Sequence, residues 1–334
     1  MVLTWKLPRS FNIDQMPKVF HERGIIFGYR HPQSSATDCL LSVFQLTNET
    51  LNIWTHFLPA WYFLWKLLST WCRLDFWNDP YSWPLLVYMV TSCVYPFVSS
   101  CAHTFSSMSL RARHICYFFD YGAVNLFGLG SAVAYSAYAF PDSWVRSAFH
   151  RCYVPLALFN SVVSVGLACY SRFLEMERPR LSKALRTLAF VYPYTWDSLP
   201  VFYRLLVSSG ESARNAANDF HLKHTAVALL TCFLYASHLP ERLAPGRFDY
   251  IGHSHQLFHV CGIVGTHIQM EALFLDMTLR KEWLLASSIP PSFAHTVGAL
   301  GLCFLLGVVN IGFFSRKVLY RPPKSQGKEP KSKQ

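Results

Sequence analysis

The chain has 334 residues, of which 52% are hydrophobic, 16% aromatic and only 15% charged. That balance excludes a disordered chain and argues against a string of soluble domains; it points to an all-α integral membrane protein built as one helical bundle. A net charge of +11 raises nucleic acid as a partner, but the basic residues sit in short loops and at the C-terminus rather than along one amphipathic face, so no nucleic-acid role is expected.

Residues 1–50 form a charged N-terminal segment with no apolar signal-peptide core, so the first span must direct insertion. Apolar stretches of bilayer-crossing length follow at roughly 53–72, 83–105, 115–139, 152–170, 185–206, 222–239, 251–274 and 292–314. They predict seven core transmembrane helices plus an eighth at the C-terminus, a bundle over 51–314. The fifth stretch is the most polar, and its Pro193 and Pro200 should kink it. Residues 315–334, with Lys324, Lys328, Lys331 and Lys333, read as a basic tail lying against anionic membrane lipids. The ten cysteines show no C-x-x-C pair, so they read as buried thiols rather than a disulfide framework.

Orientation comes from the loops. Alternate connecting segments, counted with the two ends, carry 20 Lys and Arg against 6, which places both termini in the cytoplasm and favours eight spans over seven. The sequon at Asn48 is then expected to be unglycosylated.

This topology brings unusual polar residues to one depth. His103 ends the second span, Asp120 lies about one turn into the third, and His255 and His259 share one face at the start of the seventh. Three imidazoles and a carboxylate are a reasonable ligand set for Zn2+, with Asp120 ligating or holding the zinc-bound water. Ser99, one turn before His103, is placed to orient that water or a bound carbonyl. The plainer readings are a buried His103 capping a carbonyl and Asp120 paired with Arg113. Glu49, Asn52 and His56 line one face at the start of the first span and are expected to brace the metal-bearing helices by hydrogen bonds.

Other polar residues read as support. His253 is expected at the cytoplasmic rim, His238 as an outer contact of the site, His114 in a basic loop, and His221 and His224 at the opposite, solvated surface. Asp197 lies deeper, as a packing partner or a cavity residue. Glu241, Arg242, Arg247 and Asp249 are expected to lock the 239–250 loop by ion pairs, the alternative being that they meet a cytoplasmic partner.

The blocks Glu49 to His56, Ser99-x3-His103 with Asp120 following, Pro240 to Asp249, and Ser254-His255-Gln256-x2-His259 resemble the signature blocks of the progestin and adipoQ receptor family. The resemblance spans most of the chain, and Phe27-Gly28-Tyr29-Arg30, Pro32 and the eighth span are similar to the progestin branch. It implies that His103, His255 and His259 hold zinc, that Asp120 contacts the zinc-bound water, and that Ser99 belongs to the same motif. It further implies a multi-pass receptor of the cell membrane, progesterone-class steroids as ligands, rapid signalling through an inhibitory heterotrimeric G protein and, in some members, ceramide hydrolysis. The chain departs from the adiponectin receptors by its extra C-terminal span.

Three functions are compatible with these residues. One is a receptor that takes a steroid from the bilayer into an aromatic-lined cavity and shifts between two packings. Another is a zinc-dependent lipid amide hydrolase in which Asp120 steers or deprotonates water and Ser99 helps hold the oxyanion. The third is a zinc staple between the second and seventh spans.

Overall fold

A computed structural model describes residues 9–207, 215–287 and 290–320. Among them, ten α-helices are joined by short 3-10 turns: α1 (Ala36–Ser42), α2 (Thr50–Trp71), α3 (Trp83–Phe105), α4 (Leu110–Ala134), α5 (Ala148–Phe173), α6 (Pro179–Leu206), α7 (Ala217–Ser237), α8 (Ser254–Leu279), α9 (Lys281–Ser287) and α10 (Val297–Tyr320). All but α1 and α9 have 21 to 28 residues, and they stand at the eight apolar stretches. Four of the eight, including α10, are long and apolar enough to cross a membrane by length and composition. Residues 1–8 of the N-terminal segment and 321–334 of the predicted basic tail lie outside the described residues; α10 carries the helix through Arg316 and Lys317 to Tyr320.

Proline does not interrupt the long helices. Pro193 and Pro200 lie inside α6, as Pro59, Pro96 and Pro155 do in α2, α3 and α5. Bundles tolerate this where neighbouring groups satisfy the freed carbonyls. One irregularity is the π-turn Tyr135–Ala139 that continues α4; it turns Tyr135 and Tyr138 into the core.

Packing in such a bundle depends on close fit and interhelical hydrogen bonds. Phe63, Leu85, Met89, Tyr135, Met270 and Leu273 join α2, α3, α8 and the end of α4 in one apolar cluster. Tyr88 Oη donates to the Thr266 carbonyl at 2.8 Å, Tyr95 Oη meets Thr266 Oγ1 at 2.9 Å, and Gln269 Nε2 donates to Tyr135 Oη at 2.7 Å. These bonds tie α3, α4 and α8 together. Gly130 lets α4 approach α3, because a Cβ there would overlap Thr91 Oγ1. Helix α10 packs outside α4 and α5, with Ile311, Phe314 and Val318 against Phe118, Val165 and Cys169.

The N-terminal segment is folded. Phe11 pairs with Tyr29, and Met16, Phe20, Ile25 and Tyr29 form a small core. Two of the contacts that fix the segment to the bundle involve buried charged groups. Arg30 is buried, its guanidinium donating to the carbonyls of His103 (2.5 Å) and Thr104 (2.7 Å) at the C-terminal end of α3, where a cation also complements the helix dipole. Asp249 accepts from the amides of Ile26 (3.1 Å) and Phe27 (2.8 Å).

Candidate metal centre

The ends of α3 and α8 meet beneath this segment. The start of α8 is set by the loop before it: Gly252 has φ +85°, His253 is extended, and the Glu241 carboxylate accepts from the Ser254 amide (2.7 Å) and hydroxyl (2.5 Å). A carboxylate at a helix N-terminus is well placed electrostatically. It launches α8 with His255 and His259 facing α3. Glu241 and Asp249 thus spend their carboxylates mainly on backbone amides, correcting the expectation that ion pairs lock the loop; His238 Nδ1 stands 3.8 Å from Glu241 Oε1.

His103, His255 and His259 converge, with one ligand nitrogen from each within 4.8 Å of the others. His103 Nδ1 donates to Glu49 Oε2 at 2.8 Å, and the same oxygen accepts from Asn52 Nδ2 at 2.7 Å. That bond turns the lone pair of His103 Nε2 toward His255 Nε2, 3.2 Å away. His259 Nδ1 donates to the Asn52 carbonyl at 3.1 Å with Thr55 Oγ1 at 3.2 Å, freeing its Nε2. His56 stacks on the His259 ring, with centroids 3.6 Å apart and planes within 11°.

The three imidazoles fit zinc by donor type and spacing. Two nitrogens each about 2.0–2.1 Å from a tetrahedral zinc stand roughly 3.3 Å apart, and the His103–His255 separation is 3.2 Å. The carboxylate and carbonyl behind two of the rings fix their tautomers, the arrangement that metal-binding histidines ordinarily need.

Asp120 is not part of the three-imidazole cluster. It borders the same cavity, as Ser99 does. Arg113, its alternative partner, is engaged with Glu22 instead and lies over the Phe20 and Tyr117 rings. Glu49, Asn52 and His56 therefore stand directly behind or against the cluster, as the spacing along α2 suggests. His253 is buried at the rim, Nε2 against the Asn48 carbonyl at 3.2 Å, and burial pushes its pKa below the usual imidazole value.

From the imidazoles a cavity of about 620 Å³ runs into the bundle past Asp120, Tyr95, Phe127 and Tyr135 to Asp197. This volume falls within the range of about 300–1,000 Å³ typical of small-molecule sites. At the outer end it reaches His21, Glu22 and Arg23 of the N-terminal segment.

Three histidine expectations are corrected. His221 and His224 are buried rather than solvated: His221 Nε2 bonds Asp276 Oδ2 at 2.8 Å, and His224 Nδ1 lies 2.9 Å from the Gly265 carbonyl. His114 lies in α4, not in a loop, and accepts from Arg172 Nε at 3.2 Å. The first belongs to a network that the residue patterns did not single out. Besides His221, Asp276 takes two 2.8 Å bonds from Arg204 and one from Asn215 at 3.1 Å, and Arg280 binds Asp142 at 2.8 Å and the Phe140 carbonyl at 3.0 Å. The available signal was a charge near the C-terminal end of the fifth apolar stretch, Arg204, and another just after the seventh, Asp276.

The haemolysin-III-related family model matches residues 44–270. Over 325 residues the chain is 66% identical to membrane progestin receptor gamma of Homo sapiens, covering 97% of this chain and 98% of that protein. It is 58% identical over 342 residues to membrane progestin receptor gamma-B of Danio rerio, covering 97% and 99%, and 54% identical over 324 residues to the human delta receptor, covering 96% and 94%.

Proposed function

Because the chain belongs to the haemolysin-III-related family, the progestin and adipoQ receptors, we propose that it is a cell-membrane receptor for progesterone-class steroids with a zinc site at His103, His255 and His259. The observation that carries this reading is the cavity joining those imidazoles to an aromatic interior, together with the names of the relatives matched over nearly the whole chain. In this reading the eight long helices all cross the bilayer, seven as the core and α10 as the eighth. Both ends are cytoplasmic, which the loop charges support, and the tail meets anionic lipid. Coupling to an inhibitory heterotrimeric G protein rests on the family resemblance alone.

Bound zinc would supply a Lewis acid and lower the pKa of a water to about 7. Around it, Glu49 holds His103, the Asn52 carbonyl holds His259, and Asp120 with Ser99 offers an acceptor and a hydroxyl to whatever polar group occupies the open side. The same pair favours a second reading, hydrolysis of a lipid amide, in which Asp120 accepts a proton from water and Ser99 steadies the carbonyl oxygen.

The test uses purified full-length protein, wild type and a His255→Ala, His259→Ala variant, measuring zinc per chain, progesterone binding and ceramide turnover. Wild type should hold near-stoichiometric zinc and bind progesterone saturably, and the folded variant should lose the zinc. Folded wild type that binds no steroid overturns the receptor reading. Steroid binding without zinc overturns the metal site. Zinc-dependent ceramide turnover in the absence of steroid binding would establish the second reading instead.

A further inference from the structure

A second cavity, of about 330 Å³, is bounded by the N-terminal segment, α1 and residues 44–47 ahead of α2. Arg9, Ser10, Arg30, Asp38, Phe44 and Leu46 are among its walls. It is short of negative charge. Arg30 is buried, yet its partners are all neutral: the carbonyls of His103 and Thr104, and the hydroxyls of Ser42 and Ser106, each at 3.2 Å. Among the described residues neither Arg9 nor Arg30 is in an ion pair. The one carboxylate in the lining, Asp38, is occupied at the start of α1, where it accepts from the Ser35 amide (3.2 Å) and hydroxyl (2.7 Å). Buried cations are ordinarily paired, so the cavity calls for an anion.

Its other wall is apolar and open. Phe44 is 77% exposed and Leu46 63%. Phe44 packs edge-on against Trp54, ring centroids 5.9 Å apart, and Trp54 Nε1 donates to the Val43 carbonyl at 2.9 Å. Phe57 and Trp61 extend this aromatic row along α2, where Leu58 and Trp61 are exposed. In the eight-span reading, on which the inference rests, α2 crosses the bilayer. The row then puts Phe44 at the membrane surface, the level at which aromatic side chains collect, and a headgroup can enter the cavity while its chains stay in the bilayer.

We infer that this cavity seats the headgroup of an anionic phospholipid, with Arg9 and Arg30 as its cationic walls and Phe44 and Leu46 beside its acyl chains. Guanidinium suits a phosphate because its N–H groups form a fixed fork. The volume lies near the lower end of the range of about 300–1,000 Å³ for small-molecule sites, room for a headgroup rather than for a whole lipid. Anionic lipids are concentrated in the cytoplasmic leaflet, the side to which the loop charges assign this end of the bundle. Because Arg30 also holds the end of α3 through the His103 carbonyl, a lipid seated here would brace the helix that carries His103.

The experiment titrates purified full-length protein with phosphatidylserine or phosphatidylcholine of matched acyl chains and counts bound lipid per chain by native mass spectrometry. Two arginines at about fivefold each set a preference for phosphatidylserine on the order of tenfold or more. Arg9→Gln, at an exposed residue, should weaken phosphatidylserine by about fivefold, and Asp38→Asn should tighten it. Arg180→Gln, an exposed arginine between α5 and α6, should change nothing. Equal losses in Arg9→Gln and Arg180→Gln mean general surface attraction and overturn the inference, as does an unchanged affinity in Arg9→Gln. Inorganic phosphate at the lipid's concentration should leave phosphatidylserine bound; full displacement marks a free-anion site and overturns the lipid. The crossing of α2 is tested by itself with an impermeant thiol reagent on intact cells, since exposed Cys72 follows its far end. Labelling mapped to Cys72 together with equal binding of the two lipids overturns the inference and leaves the spans standing. No labelling there overturns the crossing on which it rests.

Discussion

Glu49 gives the sharpest test of the metal centre, because it reaches the cluster without being one of the three imidazoles. Its Oε2 is the acceptor for His103 Nδ1 and also for Asn52 Nδ2. Replacing it by glutamine keeps the shape but removes the charge, and offers His103 an amide that is as ready to donate as to accept. His103 then loses both its preferred tautomer and part of its basicity. Loss of such a carboxylate behind a metal-binding histidine ordinarily costs about 10- to 100-fold in metal affinity, or roughly 1.4–2.8 kcal/mol. The assay is competition against a chromophoric zinc chelator on purified Glu49→Gln and wild-type protein. Steroid-free samples should be used so that ligand binding does not contribute. Asn52→Ala provides a comparison, since it removes a neighbour of Glu49 but leaves the His103 bond, and should weaken zinc less than Glu49→Gln. Equal zinc affinity in wild type and a folded Glu49→Gln variant would refute the reasoning.

Further consequences can be measured independently of metal. Arg204→Ala leaves Asp276 buried without its guanidinium and should lower stability by about 3–5 kcal/mol, whereas the Arg204→Met, Asp276→Leu pair should lose far less; unfolding in detergent with a thiol-reactive dye on the buried cysteines would separate them. Gly130→Val should cost about 1–3 kcal/mol by pushing α4 from Thr91, and a thermal midpoint equal to wild type would contradict the close approach. Asp249→Ala deprives two amides of the N-terminal segment of their acceptor and should speed proteolytic cleavage between residues 9 and 35 while the bundle remains intact. Cleavage at the wild-type rate would show that the remaining ties, Arg30 and the Arg113–Glu22 pair among them, secure the segment.

The helical stretches were legible because bilayer length and apolarity leave a strong mark, while their ends shifted by up to six residues. Helix α8 waits until Ser254 because of Gly252 and the Glu241 carboxylate, a contact between residues 13 apart that apolarity does not register. The four-residue spacing of His255 and His259 revealed a shared face, and loop charges aligned it with His103. Nothing in the pattern showed that Glu49 would fix the His103 tautomer, since that depends on the rotation of α2 against α3. The Arg204–Asp276 pair was missed for a similar reason: the two charges are 72 residues apart, one in the fifth stretch and one just after the seventh, and only packing reveals the partner. The N-terminal segment, read as a polar extension, folds because its few apolar residues at 16, 20, 25 and 29 find one another.

That segment also sets an order of events during synthesis. Ile26 and Phe27 emerge among the first residues, yet the carboxylate that receives their amides lies 222 or 223 positions later. Chains grow from the N-terminus, so six long helices must be made before the latch has anything to close upon. The covering of the imidazole end is consequently the first part translated and among the last assembled. Until then the cavity stays open at that end, an interval in which a metal ion or a lipid can enter a half-built bundle without displacing anything.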